Sequence, residues 1–169
     1  MLRPEDADYP DFSPLLRSWL PISNLSRIRS EPAVSRGPAQ LMFGTPQESG
    51  WCYSFERADL ARQLEDWDTA AALADRAREQ GYSPGSAGSN SAFEWQPFIE
   101  AYGHVDRWSD AAGLVLTSAQ TDPTYIPFLC GRWQNLVEKT VTNGEQVQAD
   151  QILENALGCR QLENKSASK

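Results

Sequence analysis

From Trp51 to Gln80 the chain contains neither proline nor glycine, and Ala, Leu, Glu, Arg and Gln dominate, the strongest helix formers. The run predicts helix, interrupted at Glu65-Asp66-Trp67-Asp68-Thr69, where Asp66 or Asp68 is placed to cap a second helix starting near Trp67. The result is a helical hairpin over about 50–80, closed by the Gly-, Ser- and Pro-rich loop Gly81 to Ser91. Helical patterns return over Phe93 to Val105 and Ser109 to Gln120, a second hairpin over about 93–121. A third is predicted over about 123–158, from Pro123 to Val141 and Glu145 to Leu157, joined at Thr142-Asn143-Gly144.

The first 46 residues differ. Seven of the eleven prolines (Pro4, Pro10, Pro14, Pro21, Pro32, Pro38 and Pro46) lie before residue 50, and each removes a donor and restricts its predecessor. Only short helices fit. One is predicted after Ser13 as N-cap, with Pro14 at the first helical position and Leu15, Leu16, Trp19 and Leu20 as a small apolar face ended by Pro21. Residues 1–46 therefore read as an arm docking through Trp19, Leu25, Ile28, Leu41, Met42 and Phe43, with disorder the competing reading for the first ten. Residues 161–169 read as a disordered tail, leaving 47–160 as the helical domain.

Within that domain the segment around Trp67 repeats around Trp108: Glu65-Asp66-Trp67-Asp68-Thr69-Ala70-Ala71-Ala72-Leu73 aligns with Asp106-Arg107-Trp108-Ser109-Asp110-Ala111-Ala112-Gly113-Leu114 at a spacing of 41. Each copy predicts helix, tight turn, helix, loop. Small residues at Ala58, Ala61, Ala70, Ala74 and Ala77, repeated by Ala111, Gly113 and Ser118, let paired helices approach closely. Trp51, Phe55 and Leu64 in the first copy and Phe98, Tyr102 and Val105 in the second are expected to fill the spaces between. Trp67 and Trp108 are read as core residues sealing the hairpin ends.

Composition narrows the function. The 169 residues carry a net charge of -8, which gives no long-range attraction to phosphate backbones or anionic lipid, so nucleic acid is not an expected partner. Apolar runs such as Ala70 to Ala74 are far shorter than the roughly 18 residues of a membrane span. The N-terminus lacks the pattern of a secretory signal, so an export signal, if used, would lie outside the chain. Three cysteines and one histidine, His104, are too few soft ligands for a zinc cluster, and no metal or other cofactor is expected. No nucleophile is assembled with His104, and Glu94 and Glu100 do not share a helix face, so no catalytic residue is assigned and the chain reads as a non-enzyme. Cys130 lies 13 residues before Asn143 and Cys159 16 after it, at similar heights on antiparallel helices. That puts them within bridging reach in an oxidising compartment, while Cys52 reads as a small buried hydrophobe.

Over roughly residues 50–123 the chain resembles the tetratricopeptide repeat, on the small residue Ala58, the aromatic Trp67 at the turn, and Ala70 and Ala77 along the second helix. It departs from that pattern in a period longer than the family's roughly 34 residues, and in Ala61 where tyrosine is usual. The resemblance implies an all-α stack of helical hairpins, here preceded by the extended arm read from the prolines, binding a protein or peptide on the face of the first helices. The matching positions there are Cys52, Phe55, Asp59, Arg62 and Gln63, then Gln96, Glu100, Gly103 and His104. The competing reading is that Asp59, Arg62 and Asp66 form a solvated charge pattern. On the binding reading, alanine at Asp59 and Arg62 is expected to weaken the partner without unfolding the domain. The run from Phe43 to Gln63, followed by Trp95 to Glu100, is also similar to the soluble C-terminal domain of certain bacterial multi-spanning membrane proteins, including glycosyltransferase-like ones. That likeness implies a membrane-tethered, extracytoplasmic accessory domain helping to position a sugar or lipid-linked substrate. The partner would then be the membrane portion of its own polypeptide.

Overall fold

Where proline thins out, the helices lengthen. The computed structural model describes residues 9–22, 50–86 and 91–159, and among them the chain is all-α, with no strand. The helices are α1 (Pro14–Trp19), α2 (Trp51–Gln63), α3 (Trp67–Glu79), α4 (Gln96–His104), α5 (Trp108–Thr121), α6 (Ile126–Lys139) and α7 (Gly144–Leu157). Short 3-10 turns, Leu20–Ile22, Ala92–Trp95 and Pro123–Tyr125, follow α1 and lead into α4 and α6. α2 to α5 each pack on the next in the chain; α2 also packs on α4, α4 on α6 and α5 on α7.

The 41-residue period is repeated bond for bond in the backbone. At the end of α2 the Asp66 amide donates to the Ala61 carbonyl (2.9 Å) and the Glu65 amide to that of Arg62 (3.1 Å). At the end of α4 the Arg107 amide donates to Tyr102 (2.8 Å) and the Asp106 amide to Gly103 (3.3 Å). Both are Schellman closures, and both put a non-glycine residue in the left-handed region, Glu65 at φ 58° and Asp106 at φ 60°. Asp66 and Arg107 then serve as N-caps of α3 and α5, and the Asp66 carboxylate accepts from the Thr69 amide at 3.2 Å. One residue thus ends one helix and starts the next, which fixes the corner.

The alanines lie between the helices as their size requires: Ala58, Ala70, Ala74, Ala77 and Ala111 are all fully buried. Trp51 stacks on Trp95 with ring centres 4.6 Å apart and donates from Nε1 to Glu94 at 2.6 Å. Trp108 is fully buried and meets Trp133 edge-on at 5.5 Å. Four expectations need correction. Leu64 is not a spacer but exposed, because the corner turns it outward. Gly113 faces open space instead of a neighbouring helix. Cys52 is exposed, since α2 buries the faces of Trp51, Ser54 and Ala58 and leaves position 52 outside. Trp67 is only half-buried.

Ser13 caps α1, accepting from the Leu16 amide at 3.2 Å. The segment is anchored by Tyr9 and Leu20, both buried, whereas Trp19 is 54% exposed. Tyr9 packs among Phe12, Phe93, Tyr125 and Phe128, and its hydroxyl shares a 2.6 Å hydrogen bond with Ser91. The Tyr125 hydroxyl donates to Asp11 and is pushed up from the ordinary tyrosine range, first by burial and then by that carboxylate. Leu25, Ile28, Leu41, Met42, Phe43 and the tail 161–169 lie outside the described residues. Cys130 on α6 and Cys159 just past α7 are joined by a disulfide, with Cα atoms 5.2 Å apart. Closing a loop of that length removes chain entropy worth about 3–4 kcal/mol from the unfolded state.

Gly103 marks the tightest contact between α4 and α6, since a Cβ there would sit 2.6 Å from the Leu136 Cδ2 atom, itself buried. Gly103→Ala should lower stability in urea unfolding by about 1–3 kcal/mol. Gly131→Ala, where a Cβ meets nothing within 4 Å, should raise it by up to about 1 kcal/mol through helix propensity.

Candidate functional site

Arg62 and Asp59 lie three residues apart on α2, the spacing of a solvent-facing pair, yet both are buried, Arg62 to 1% exposure. The reading of a solvated charge pattern is overturned for Asp59 and Arg62, because α4 packs on α2, while Asp66 stays exposed. Arg62 donates from Nε and Nη2 to Asp59 Oδ1 at 3.1 and 2.7 Å, and from Nη1 to Glu100 Oε1 at 3.3 Å. The same Glu100 oxygen accepts from Arg132 of α6 at 2.5 Å. Gln63, half-buried, donates to the second Asp59 oxygen at 2.9 Å. An alternating chain, Asp59–Arg62–Glu100–Arg132, therefore crosses α2, α4 and α6, and each buried charge has a partner of opposite sign.

This chain floors a cavity of about 380 Å³. Glu65 of the α2–α3 corner and Trp67 of α3 form one side; Asn135, Leu136 and Lys139 of α6 form the other. His104 stands at the end of α4 with its imidazole stacked on the Trp67 indole, ring centres 3.9 Å apart and planes 10° from parallel. That contact explains why Trp67 is not sealed in the core: its ring forms a shelf in the cavity. Its repeat counterpart Trp108 is sealed because α7 and Trp133 cover it.

A helix C-terminus favours a cationic histidine, but the surroundings of His104 act the other way. Burial is the largest influence on His104 and holds its pKa below the usual 6.5, with Lys139 acting in the same direction against Glu100 and Glu65. The imidazole is neutral at pH 7, and neither ring nitrogen has a hydrogen-bond partner among the described residues. Among the described residues the cavity lining presents cations, carboxylates, an amide and an aromatic shelf, without hydroxyl or thiol. Among the described residues no three metal-ligating side chains cluster, and no helix is long and apolar enough to cross a membrane.

Of the residues expected on this face, Arg62, Glu100 and His104 meet in the cavity, with Asp59 and Gln63 behind its floor. Phe55 is half-buried against the core. Gln96 is 2% exposed, and neither of its amide atoms has a hydrogen-bond partner among the described residues, so it belongs to the interior instead of the binding face. Sequence reasoning missed Glu65 and the α6 side. The signal available was the polar stripe Arg132, Asn135 and Lys139 at helical spacings of three and four.

Because the ionic chain is buried, its members are structural, which corrects the expectation that alanine at Asp59 and Arg62 spares the fold. Arg62→Met should cost about 3–5 kcal/mol in urea unfolding by stranding Asp59 and part of Glu100. Lys139→Ala, at the exposed rim, should change stability by less than about 0.5 kcal/mol.

The depressed His104 pKa has a sign. The unfolded chain binds this proton more readily than the folded one, so the contribution is complete above pH 6.5 and is lost as pH falls toward the lowered folded value. Urea midpoints measured between about pH 7.5 and about pH 5.5 should fall less in His104→Gln than in the native chain. An equal fall would show that His104 is not the group responsible.

Compared with protein families, curated proteins and solved structures, the chain matches none.

Proposed function

We propose that this chain is a non-catalytic, tetratricopeptide-like stack of helical hairpins that binds a protein or peptide segment, or another domain of a larger membrane protein, through the face of its first helices. The observation that carries the reading is the cavity drawn from all three hairpins: Arg62 from the first, Glu100 and His104 from the second, Arg132, Asn135 and Lys139 from the third. Support for the repeat comes from the paired corners at Glu65 and Asp106 and the alanine-lined helix contacts. A rigid floor of matched charges beneath an unbonded imidazole, an exposed lysine and a half-exposed indole suits recognition, because little of the rim must reorganise on binding.

A second reading draws on the Cys130–Cys159 bridge. Disulfides persist in oxidising compartments, which favours an extracytoplasmic setting. In that setting the chain is the accessory soluble domain of a membrane glycosyltransferase, and the Trp67 shelf helps position a sugar or lipid-linked substrate.

Selection of a random peptide library on the native chain tests the leading reading. Peptides should be enriched, and the His104→Ala, Asn135→Ala double variant, checked for helicity by circular dichroism, should bind them about tenfold more weakly. Failure to enrich any peptide, or undiminished binding to the double variant, would overturn the assignment to this cavity.

A further inference from the structure

Resting on the peptide-binding reading, we propose that the cavity is one end of a groove along α6 that seats an extended peptide of about six residues, with an acidic side chain beside Lys139 and His104 and an apolar one against Pro127 and Phe128. A second cavity of about 350 Å³ is lined by Pro10, Pro127, Phe128 and Gly131, and Arg132 and Asn135 line both cavities, which places the two next to each other along α6. Pro127 and Lys139 are 12 residues apart on α6. At a rise of about 1.5 Å per residue the groove spans about 18 Å, the reach of five or six extended residues at about 3.3 Å each.

The chemistry changes along that length. At the Pro127 end the lining includes Pro10, Pro127 and the largely buried Phe128. In the middle Gly131 leaves the floor open, since a Cβ there would meet nothing within 4 Å. At the far end Arg62 and Arg132 are already matched by Asp59 and Glu100. That leaves Lys139, exposed and without an ion pair among the described residues, as the cation on the α6 wall. His104 adds unbonded ring nitrogens beside it, while Glu65, on the α2–α3 corner, disfavours an acid on the opposite lip and so sets the acidic residue against α6.

The test uses the same library with three variants. Gly131→Trp fills the middle of the groove at a position where the helix has room, and should weaken enriched peptides about tenfold or more. Gly113→Trp, equally unobstructed, places the same bulk in the separate cavity bordered by Arg78, Tyr82 and Leu114, and should leave binding unchanged. Lys139→Glu should weaken acidic peptides about fivefold or more and shift enrichment toward basic residues at that position. Peptides that lack the acid-and-apolar pairing, survive Gly131→Trp or ignore Lys139→Glu would overturn the groove while leaving peptide binding itself standing. No enrichment at all would remove both.

Discussion

Four charges taken out of water govern this molecule. Asp59, Arg62, Glu100 and Arg132 are carried by α2, α4 and α6, and none can be buried favourably unless the others are in place. The ionic chain ties α2, α4 and α6 together through specific side chains, while Ala58, Ala70 and Ala77, all fully buried, let neighbouring helices approach closely.

The corners supply the second constraint. In each of the first two hairpins a Schellman closure feeds directly into the next N-cap, so the helices have no slack between them. Outer pairs reinforce the junction of these hairpins: Arg107 bridges Asp75 and Asp110 and lies 4.3 Å over the Tyr102 ring, while Arg78 pairs with Asp110. Tyr102, buried and donating to Asp75, has its pKa pushed up to about 12, chiefly by burial, and stays neutral. The third hairpin is held differently, by the disulfide and by α7 packing on α5. α6 is fastened along its inner face by Leu129, Cys130, Trp133 and Leu136, and Arg132 and Asn135 line both cavities.

Much of the helical pattern was legible residue by residue. Proline and glycine spacing marked the long helices, Asp66 and Ser13 were readable caps, and the 41-residue repeat located both corners. The site was legible only in part. Arg62, Glu100 and His104 fall on the expected face, but Gln96 lies in the interior, and Glu65 and the α6 residues were not anticipated. A helical pattern shows which positions share a face without showing what covers that face.

What the sequence alone determined is local: helix starts and stops, the tight corners and the small residues that allow close packing, all set by interactions within a few positions of one another. What the tertiary structure decided is environment. Asp59 and Arg62 have the spacing of a surface pair, and only the arrival of α4 and α6 turns them into buried structure. Trp67 and Trp108 occupy equivalent repeat positions, yet one is a half-open shelf beside His104 and the other is sealed beneath Trp133. The difference comes from which helix lies across each indole, a contact between residues far apart in the chain that no local pattern encodes.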